Sequence, residues 1–258
     1  MSQALPANPV ARFSVGLGYP FRALGFLCRH PRLLRFVLLP FLINLTVFTV
    51  AVSLGLRFFD QTVLALLPQG EAWYWVLLHY LLWLVAALVT AVLVFFLFAV
   101  VGNLLAAPFN DILAARAVEI LTGRHEEEPF CWTSLLRDSR RVLADEIRKI
   151  GLFLLGMLVL LSLNFLPGLG SLLYAVLSVL WTTFFLVVEY TGYVFGRLRI
   201  PFPGQRRFVL GHKALAFGFG LGLLALLAVP FLQFLAIPLG VIGAVQLCYD
   251  TGLMAHVS

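Results

Sequence analysis

The chain has 258 residues, of which 62% are hydrophobic and 12% are charged. Soluble globular domains contain about 45–50% apolar and about 25% charged residues, so this composition excludes an ordinary soluble fold. It indicates a single membrane-embedded domain over residues 1–258. The net charge of +6 is not arranged as a basic stripe interleaved with aromatic residues, so we expect no nucleic-acid partner.

The predicted elements follow the alternation of apolar runs with turn residues and charge. In chain order they are a disordered tail (1–9), an interfacial helix (10–30), two long transmembrane helices (36–107), a cytoplasmic segment (108–149) and two helical hairpins (150–195 and 214–249). The two long runs each reach the ~20 residues that span a bilayer. The sequence therefore predicts an all-α, polytopic membrane protein.

The basic residues predict how this protein is oriented. Seventeen of its 18 Lys and Arg residues fall in three blocks, at residues 12–35, 116–149 and 197–213. Lys and Arg beside membrane segments stay on the cytoplasmic side. An even number of crossings or entries between blocks places all three on that side, together with the N- and C-termini.

The two hairpins have tips that contain proline. The first tip reads Pro167-Gly168-Leu169-Gly170, and the second begins at Pro230. Their first arms, of ~17 and ~16 residues, are near the lower limit for a crossing, so the hairpins either span fully or enter partway and return. Such paired interruptions are also typical of transporter binding regions, which makes Pro167, Gly168 and Gly170 gating candidates. The simpler interpretation is an ordinary helical turn.

An anion site is predicted where the first long helix begins, at Arg32-Leu33-Leu34-Arg35. Pro31 suits a helix start, and the free first-turn N–H groups carry partial positive charge. Arg32 and Arg35 are three residues apart and share a face of that turn, and guanidinium matches the geometry of sulfate or phosphate. The alternative is that both arginines only anchor the helix to lipid head groups.

Three further residues are pore or gating candidates. Glu189 is the one acid well inside an apolar run, where an ionisable group faces a partner or water; a structural ion pair is the alternative. Pro108 bends or ends the second long helix, and Asn110 or Asp111 then caps the next one. These residues form either a polar vestibule or a simple kink.

No motif in the sequence indicates catalysis. The five histidines and three cysteines are scattered without metal-ligand spacing, and no nucleophile–base pair or phosphate loop occurs. We therefore expect neither an enzyme, nor a metal site, nor a cofactor.

The motifs resemble those of the CysZ-type sulfate permease family, part of the etoposide-induced-protein superfamily. The resemblance extends from about Gly16 to Tyr249. Its strongest pieces are Leu34-Arg35-Phe36-Val37-Leu38-Leu39-Pro40 with Asn44, Ala106-Ala107-Pro108-Phe109-Asn110 with Leu121-Thr122-Gly123, Leu166-Pro167-Gly168-Leu169-Gly170, and Glu189-Tyr190 with Tyr193.

This resemblance implies a multi-pass protein of the bacterial inner membrane that takes up sulfate for cysteine synthesis. It also implies a homo-oligomer, two long spanning helices, and hairpins that penetrate only part of the bilayer. In the family, sulfate lies near the start of the first long helix, at a Gly-hydrophobic-Arg-Arg stretch. Arg35 matches the second arginine, Leu34 replaces the first, and Arg32 takes the place of the glycine.

Two acidic positions of the family also differ in this chain. Ala115 stands where the family often has Glu, and Gly192 stands where it commonly has Asp. Sulfate and a related oxyanion therefore both remain as substrates in the leading hypothesis, a permease or channel. The alternative hypothesis is a non-transporting membrane scaffold whose basic cytoplasmic face binds anionic lipid or a partner protein.

Overall fold

The computed structural model describes residues 5–59, 61, 73–123, 132–229 and 232–255. For residues 73, 97–107, 132–146, 233 and 234 it describes the backbone alone. Within these ranges the regular structure consists of eight α-helices, short 3₁₀ turns and no strand, which confirms the all-α class. The helices are α1 (Pro9–Arg29), α2 (Leu34–Phe58), α3 (Trp73–Thr122), α4 (Trp132–Ser162), α5 (Gly170–Arg197), α6 (Phe202–Gly211), α7 (Lys213–Ala228) and α8 (Gln233–Asp250).

Several of these helices can cross a membrane. Four stretches of the described chain are long and apolar enough, or five if α6 and α7, which meet at a bend of 100°, form one broken span. The four are Pro31–Phe58, Tyr74–Phe96, Ile147–Phe165 and Gly170–Arg197. Both arms of the first hairpin thus qualify by length and composition, so that hairpin is long enough to span fully.

The second hairpin is shorter. Its arms α7 and α8 contain 16 and 18 residues, which is about 24–27 Å of helix at 1.5 Å per residue. The hydrocarbon core is ~30 Å thick. Partial entry of this hairpin into the bilayer stays a prediction that its length favours.

The prediction that the second long helix ends at Pro108 is wrong. α3 continues through Pro108 to Thr122, so Asn110 and Asp111 lie inside it and cap nothing. A proline removes a single N–H group, whereas ending a helix frees several backbone groups at once. The helix ends instead at Gly123, which has a φ of 69° and donates its N–H to the Glu119 carbonyl oxygen at 2.8 Å. This is a glycine C-terminal cap.

Two other boundaries also differ from the sequence-based ones. The sequence also predicts a helix over residues 138–150, and in the structure it is continuous with the first hairpin arm in α4. α6 was not predicted, because it lies in the third basic block and buries only Phe202, Gln205 and Val209. The sequence also predicts a loop between the two long helices, with Asp60, Pro68, Gly70 and Glu71, and these four residues lie outside the described ones.

The described residues form two compact units. One contains those of Met1–Leu34 and Asn110–Ser258, and the other is Arg35–Phe109. In the second unit, Gly55 lies against the Val94 side chain, and the Phe59 and Trp83 rings meet edge to face with centroids 5.9 Å apart. These two contacts place the end of α2 near the first half of α3.

In the first unit, α1 packs against α7 through glycine. A Cβ atom on Gly218 would clash with the Phe13 carbonyl oxygen, and one on Gly222 would lie 2.7 Å from the Leu17 carbonyl oxygen. Because the contact advances by four residues on both helices, α1 and α7 run parallel. Small residues allow this close backbone approach in membrane proteins.

The core of the first unit forms where α1, α5, α7 and α8 meet. Tyr19, Leu215, Phe219 and Ile242 are completely buried there. α1 begins at Asn8, whose side-chain oxygen accepts the Val10 N–H at 2.9 Å, and at Pro9, which suits the first helical position. A helix thus exists close to the predicted range 10–30, with one face in this core and Val10, Leu17, Phe21 and Leu24 exposed on another. Its location at the membrane interface stays a prediction.

Candidate functional site

The predicted anion site lies where a 3₁₀ turn, Pro31–Leu33, leads into α2. The division between the two units falls after Leu34, so each arginine is described with its own unit. Arg32 is exposed on the first unit. Arg35 is exposed on the second, with its guanidinium carbon 4.7 Å from the centre of the Phe36 ring. Both guanidinium groups are therefore accessible to an anion.

The backbone N–H groups that the sequence predicts as anion donors already form hydrogen bonds within the protein. The Leu33 N–H donates to the His30 carbonyl oxygen at 2.9 Å, and the Leu34 N–H donates to the Pro31 carbonyl oxygen. The prediction of free first-turn N–H groups is wrong at these two residues, because both N–H groups donate to carbonyl oxygens within the tight 3₁₀ turn. An anion here would bind to the guanidinium groups, or would displace these bonds.

Glu189 lies in a cleft of the first unit, between α4 and α5. The cleft has a volume of about 260 Å³ and is also lined by Lys149. The predicted lone acid therefore shares its surroundings with a base, which fits the structural alternative as well as a gating role. Neither residue is without a partner inside the protein.

Gly192 lies one turn after Glu189 and faces the same base. A Cβ atom built on Gly192 would be 3.8 Å from Lys149 Nζ and 3.7 Å from Gln205 Nε2, both ordinary contact distances. The structure thus has room for the aspartate that the family commonly carries at this position. Gln205 is itself buried and donates to the Thr191 hydroxyl at 2.9 Å.

Asn110 and Pro108 are placed differently from one another. Asn110 is buried in the first unit, and its neighbour Asp111 lies 3.8 Å from the Arg197 guanidinium at the end of α5. Pro108 is exposed on the second unit. The polar vestibule that the sequence offers as one interpretation of these residues stays a prediction.

The first hairpin tip is a defined turn. Gly168 has a φ of 88°, which other residues rarely adopt, and Gly170 is buried with its α-carbon against the Leu163 carbonyl oxygen, where a Cβ atom would clash. Pro167 is exposed beside them, and Phe165 and Leu169 expose 89% and 69% of their surface. A tip this apolar is suited to contact with lipid.

One polar cluster was missed by the sequence analysis. The Tyr19 hydroxyl on α1 donates to the Asp250 carboxylate at the end of α8, at 3.0 Å. The Arg22 guanidinium lies 3.5 Å from the same carboxylate and 4.9 Å from the centre of the Tyr19 ring. Burial, and then the charge of Asp250, raise the pKa of Tyr19 well above its usual value, against a smaller opposite effect of Arg22.

This cluster predicts a loss of stability at high pH. The pKa of Tyr19 is higher in the folded than in the unfolded protein, so its contribution to stability is complete below the unfolded pKa of about 10 and decreases as pH rises above it. Tyr19→Phe should lower stability by about 1 kcal/mol at neutral pH through the lost hydrogen bond. The same substitution should also make the loss of stability above pH 10 less steep. Thermal unfolding of both proteins between pH 7 and 11 measures this, and parallel declines would contradict it.

Among the described residues, no group of three His, Cys, Asp or Glu side chains could hold a metal ion. The segment His125-Glu126-Glu127-Glu128, for which the sequence favours a charged loop over a metal site, lies outside these residues. The arrangement that remains consists of exposed arginines, one cleft with a Lys and a Glu, and apolar helices of membrane-spanning length.

Comparison with known proteins decides the family. Residues 19–238 match the family described as sulfate transporter CysZ/etoposide-induced protein 2.4. The chain belongs to this family. The matched region begins in α1 and ends in α8, so it contains the whole of α2 to α7.

Three relatives named "Sulfate transporter CysZ" illustrate the similarity. The protein of Pseudomonas paraeruginosa is 32% identical over 218 residues, which is 84% of this chain and 88% of the relative. That of Pectobacterium atrosepticum is 31% identical over 223 residues, covering 85% and 79%. That of Vibrio parahaemolyticus is 31% identical over 232 residues, covering 89% and 92%. The family and the apolar helices together identify a multi-pass membrane protein, and the relatives are named as transporters rather than enzymes.

Proposed function

We propose that this chain carries sulfate, or a closely related oxyanion, across the bacterial inner membrane as a permease or channel. The observation that carries the proposal is the family match over residues 19–238, together with relatives that are named sulfate transporters. The sulfate would supply cysteine biosynthesis. The chain would act as a single membrane-embedded domain and assemble as a homo-oligomer, with both termini in the cytoplasm.

We propose that the anion is first bound at Arg32 and Arg35. Both side chains are exposed, and in the sequence they stand three residues apart where a 3₁₀ turn leads into α2. Guanidinium groups bind tetrahedral oxyanions through paired, charge-assisted hydrogen bonds.

Gating would involve the first unit. Glu189 is the strongest candidate, since it lies with Lys149 in the cleft between α4 and α5. A carboxylate beside a pathway repels a divalent anion unless a base neutralises it. The buried Asn110 and the Pro167-Gly168-Gly170 tip would shape the route, and the exposed Pro108 would set the course of α3.

The second candidate function is a non-transporting scaffold that binds anionic lipid or a partner. It is favoured by the basic surface at and around α6, where Arg199, Arg206, Arg207 and Lys213 are exposed. Such a surface attaches to anionic membranes through electrostatics that salt screens. Oxyanion selectivity, in contrast, should persist at high ionic strength.

Uptake of radiolabelled sulfate into proteoliposomes that contain the purified full chain tests the proposal. We expect saturable uptake of labelled sulfate that unlabelled sulfate inhibits and chloride does not. Phosphate is tested alongside as the related oxyanion. Protein that is folded and inserted but gives no flux above that of empty liposomes would favour the scaffold. Equal flux of sulfate and chloride would contradict a selective permease.

A further inference from the structure

The cleft between α4 and α5 has two chemically different ends. The helices are antiparallel here: the Phe153 and Phe185 rings lie 5.2 Å apart, and the Trp181 indole N–H donates to the Phe153 carbonyl oxygen at 3.1 Å. Lys149 is four residues before Phe153, and Glu189 is four residues after Phe185, so the two charged residues are level with each other. One end of the cleft is thus charged, and the other end, about 6 Å away along the helices, is aromatic.

The charged end of the cleft lies toward the basic ends of the two candidate spans. Lys149 lies near the start of the span Ile147–Phe165, and Glu189 lies in the part of Gly170–Arg197 that ends in a basic residue. Long basic side chains near the ends of spans extend toward the head groups. The aromatic end of the cleft, with Leu186, then points toward the acyl chains.

The dimensions of the cleft suit part of a larger ligand, such as a head group and the start of an apolar chain. Its volume of about 260 Å³ is below the usual range for pockets that enclose a whole small molecule, and its walls beyond the charged end are apolar. Sulfate has no apolar surface and would place its charge beside Glu189. A ligand that complements both ends of the cleft has an apolar chain, an acceptor that faces Lys149 and a donor that faces Glu189.

We propose that this cleft binds a phospholipid whose head group carries both a phosphate and a primary ammonium, that is, a phosphatidylethanolamine. The phosphate accepts from Lys149 Nζ, the ammonium donates to the Glu189 carboxylate, and one acyl chain lies along Phe153 and Phe185. Both charged residues already have a partner within the protein, and the lipid adds a second one to each. The inference does not depend on the proposed transport of sulfate.

Charge complementarity distinguishes this lipid from its common alternatives. Phosphatidylglycerol has the phosphate but no ammonium, so nothing in it neutralises Glu189. Phosphatidylcholine has a positive charge but no N–H group to donate, and its three methyl groups hold the charge away from the carboxylate. Loss of one charge-assisted hydrogen bond corresponds to about tenfold or more in affinity.

Native mass spectrometry of the full chain in detergent, with each of the three lipids added at matched acyl composition, tests the proposal. The wild-type protein should bind phosphatidylethanolamine about tenfold more tightly than either alternative. Glu189→Gln should remove the preference over phosphatidylcholine, and Lys149→Met should weaken the binding of all three. Arg57→Met, which removes an exposed positive charge on the second unit and outside the cleft, is the matched control and should bind like the wild type.

A third variant separates lipid binding from folding. Thr182→Phe places a ring in the apolar part of the cleft without changing a charge. It should therefore weaken the binding of all three lipids and preserve the order of their affinities. It replaces either charge variant that does not retain the thermal unfolding temperature of the wild type. Equal binding of the three lipids to the wild type would overturn the proposal. An unchanged preference in folded Glu189→Gln, or unchanged binding in folded Thr182→Phe, would do so as well.

Discussion

Arg35→Ala should abolish saturable sulfate uptake in proteoliposomes and weaken sulfate binding by about tenfold to a hundredfold. The side chain is exposed where α2 begins, and a hydrogen bond between charged partners contributes about 1.5–3 kcal/mol, which corresponds to that range. Arg35→Lys should recover only part of the affinity, because an ammonium group cannot bind an oxyanion through two parallel N–H groups.

The matched control for this prediction lies on the same helix. Arg57 is an exposed arginine in the last turn of α2, and Arg57→Ala removes the same charge from the opposite end. It should leave sulfate uptake close to that of the wild type. Equal losses in the two variants would show that total charge matters rather than the site, and unchanged binding in Arg35→Ala would place the anion elsewhere.

Gly16→Ala should destabilise the first unit by at least about 3 kcal/mol, whereas Gly18→Ala should stabilise it slightly. A Cβ atom on Gly16 would clash with the Leu215 carbonyl oxygen and lie 3.0 Å from the Phe219 nitrogen. These are backbone atoms, so the whole of α7 must move, and overpacking of this kind exceeds the usual 1–3 kcal/mol. Thermal unfolding of the purified protein measures the difference.

Gly18 provides the internal comparison, since nothing lies within 4 Å of its Cβ position. Alanine there gains up to about 1 kcal/mol of helix propensity, in the same helix and with the same change of composition. Two variants with equal unfolding temperatures would mean that α1 does not pack on α7 as described. A gain in Gly16→Ala would have the same meaning.

The sequence predicted the helices that apolar runs define and missed those that tertiary contacts define. α2, α5, α7 and α8 lie close to their predicted ranges because long apolar stretches end at Pro, Gly or basic residues. α6 has a mixed composition, and only its packed face identifies it as a helix. α3 continues past Pro108 because the local preference of one residue is weaker than the cost of ending a helix.

For the candidate sites, the sequence could name residues but not the groups that they face. Arg32 and Arg35 follow from spacing along one turn, but the hydrogen bonds of the Leu33 and Leu34 amides depend on a 3₁₀ geometry that the sequence does not reveal. Tyr19 and Asp250 are 231 positions apart, and no local pattern relates them. Glu189 was predicted as a lone acid, and only the packing of α4 on α5 places Lys149 in the same cleft.

The contact of α1 with α7 has a consequence for the order in which the chain is made. α1 leaves the ribosome first, but its partner surface around Leu215, Gly218 and Gly222 follows about 200 residues later, a delay of roughly 10–40 s at usual rates of translation. During that time the face of Gly16, Tyr19 and Ala23, which is buried at the end, has no partner helix. The nascent protein therefore closes its first unit only when synthesis is nearly complete, and a truncation before residue 213 should leave α1 open to protease.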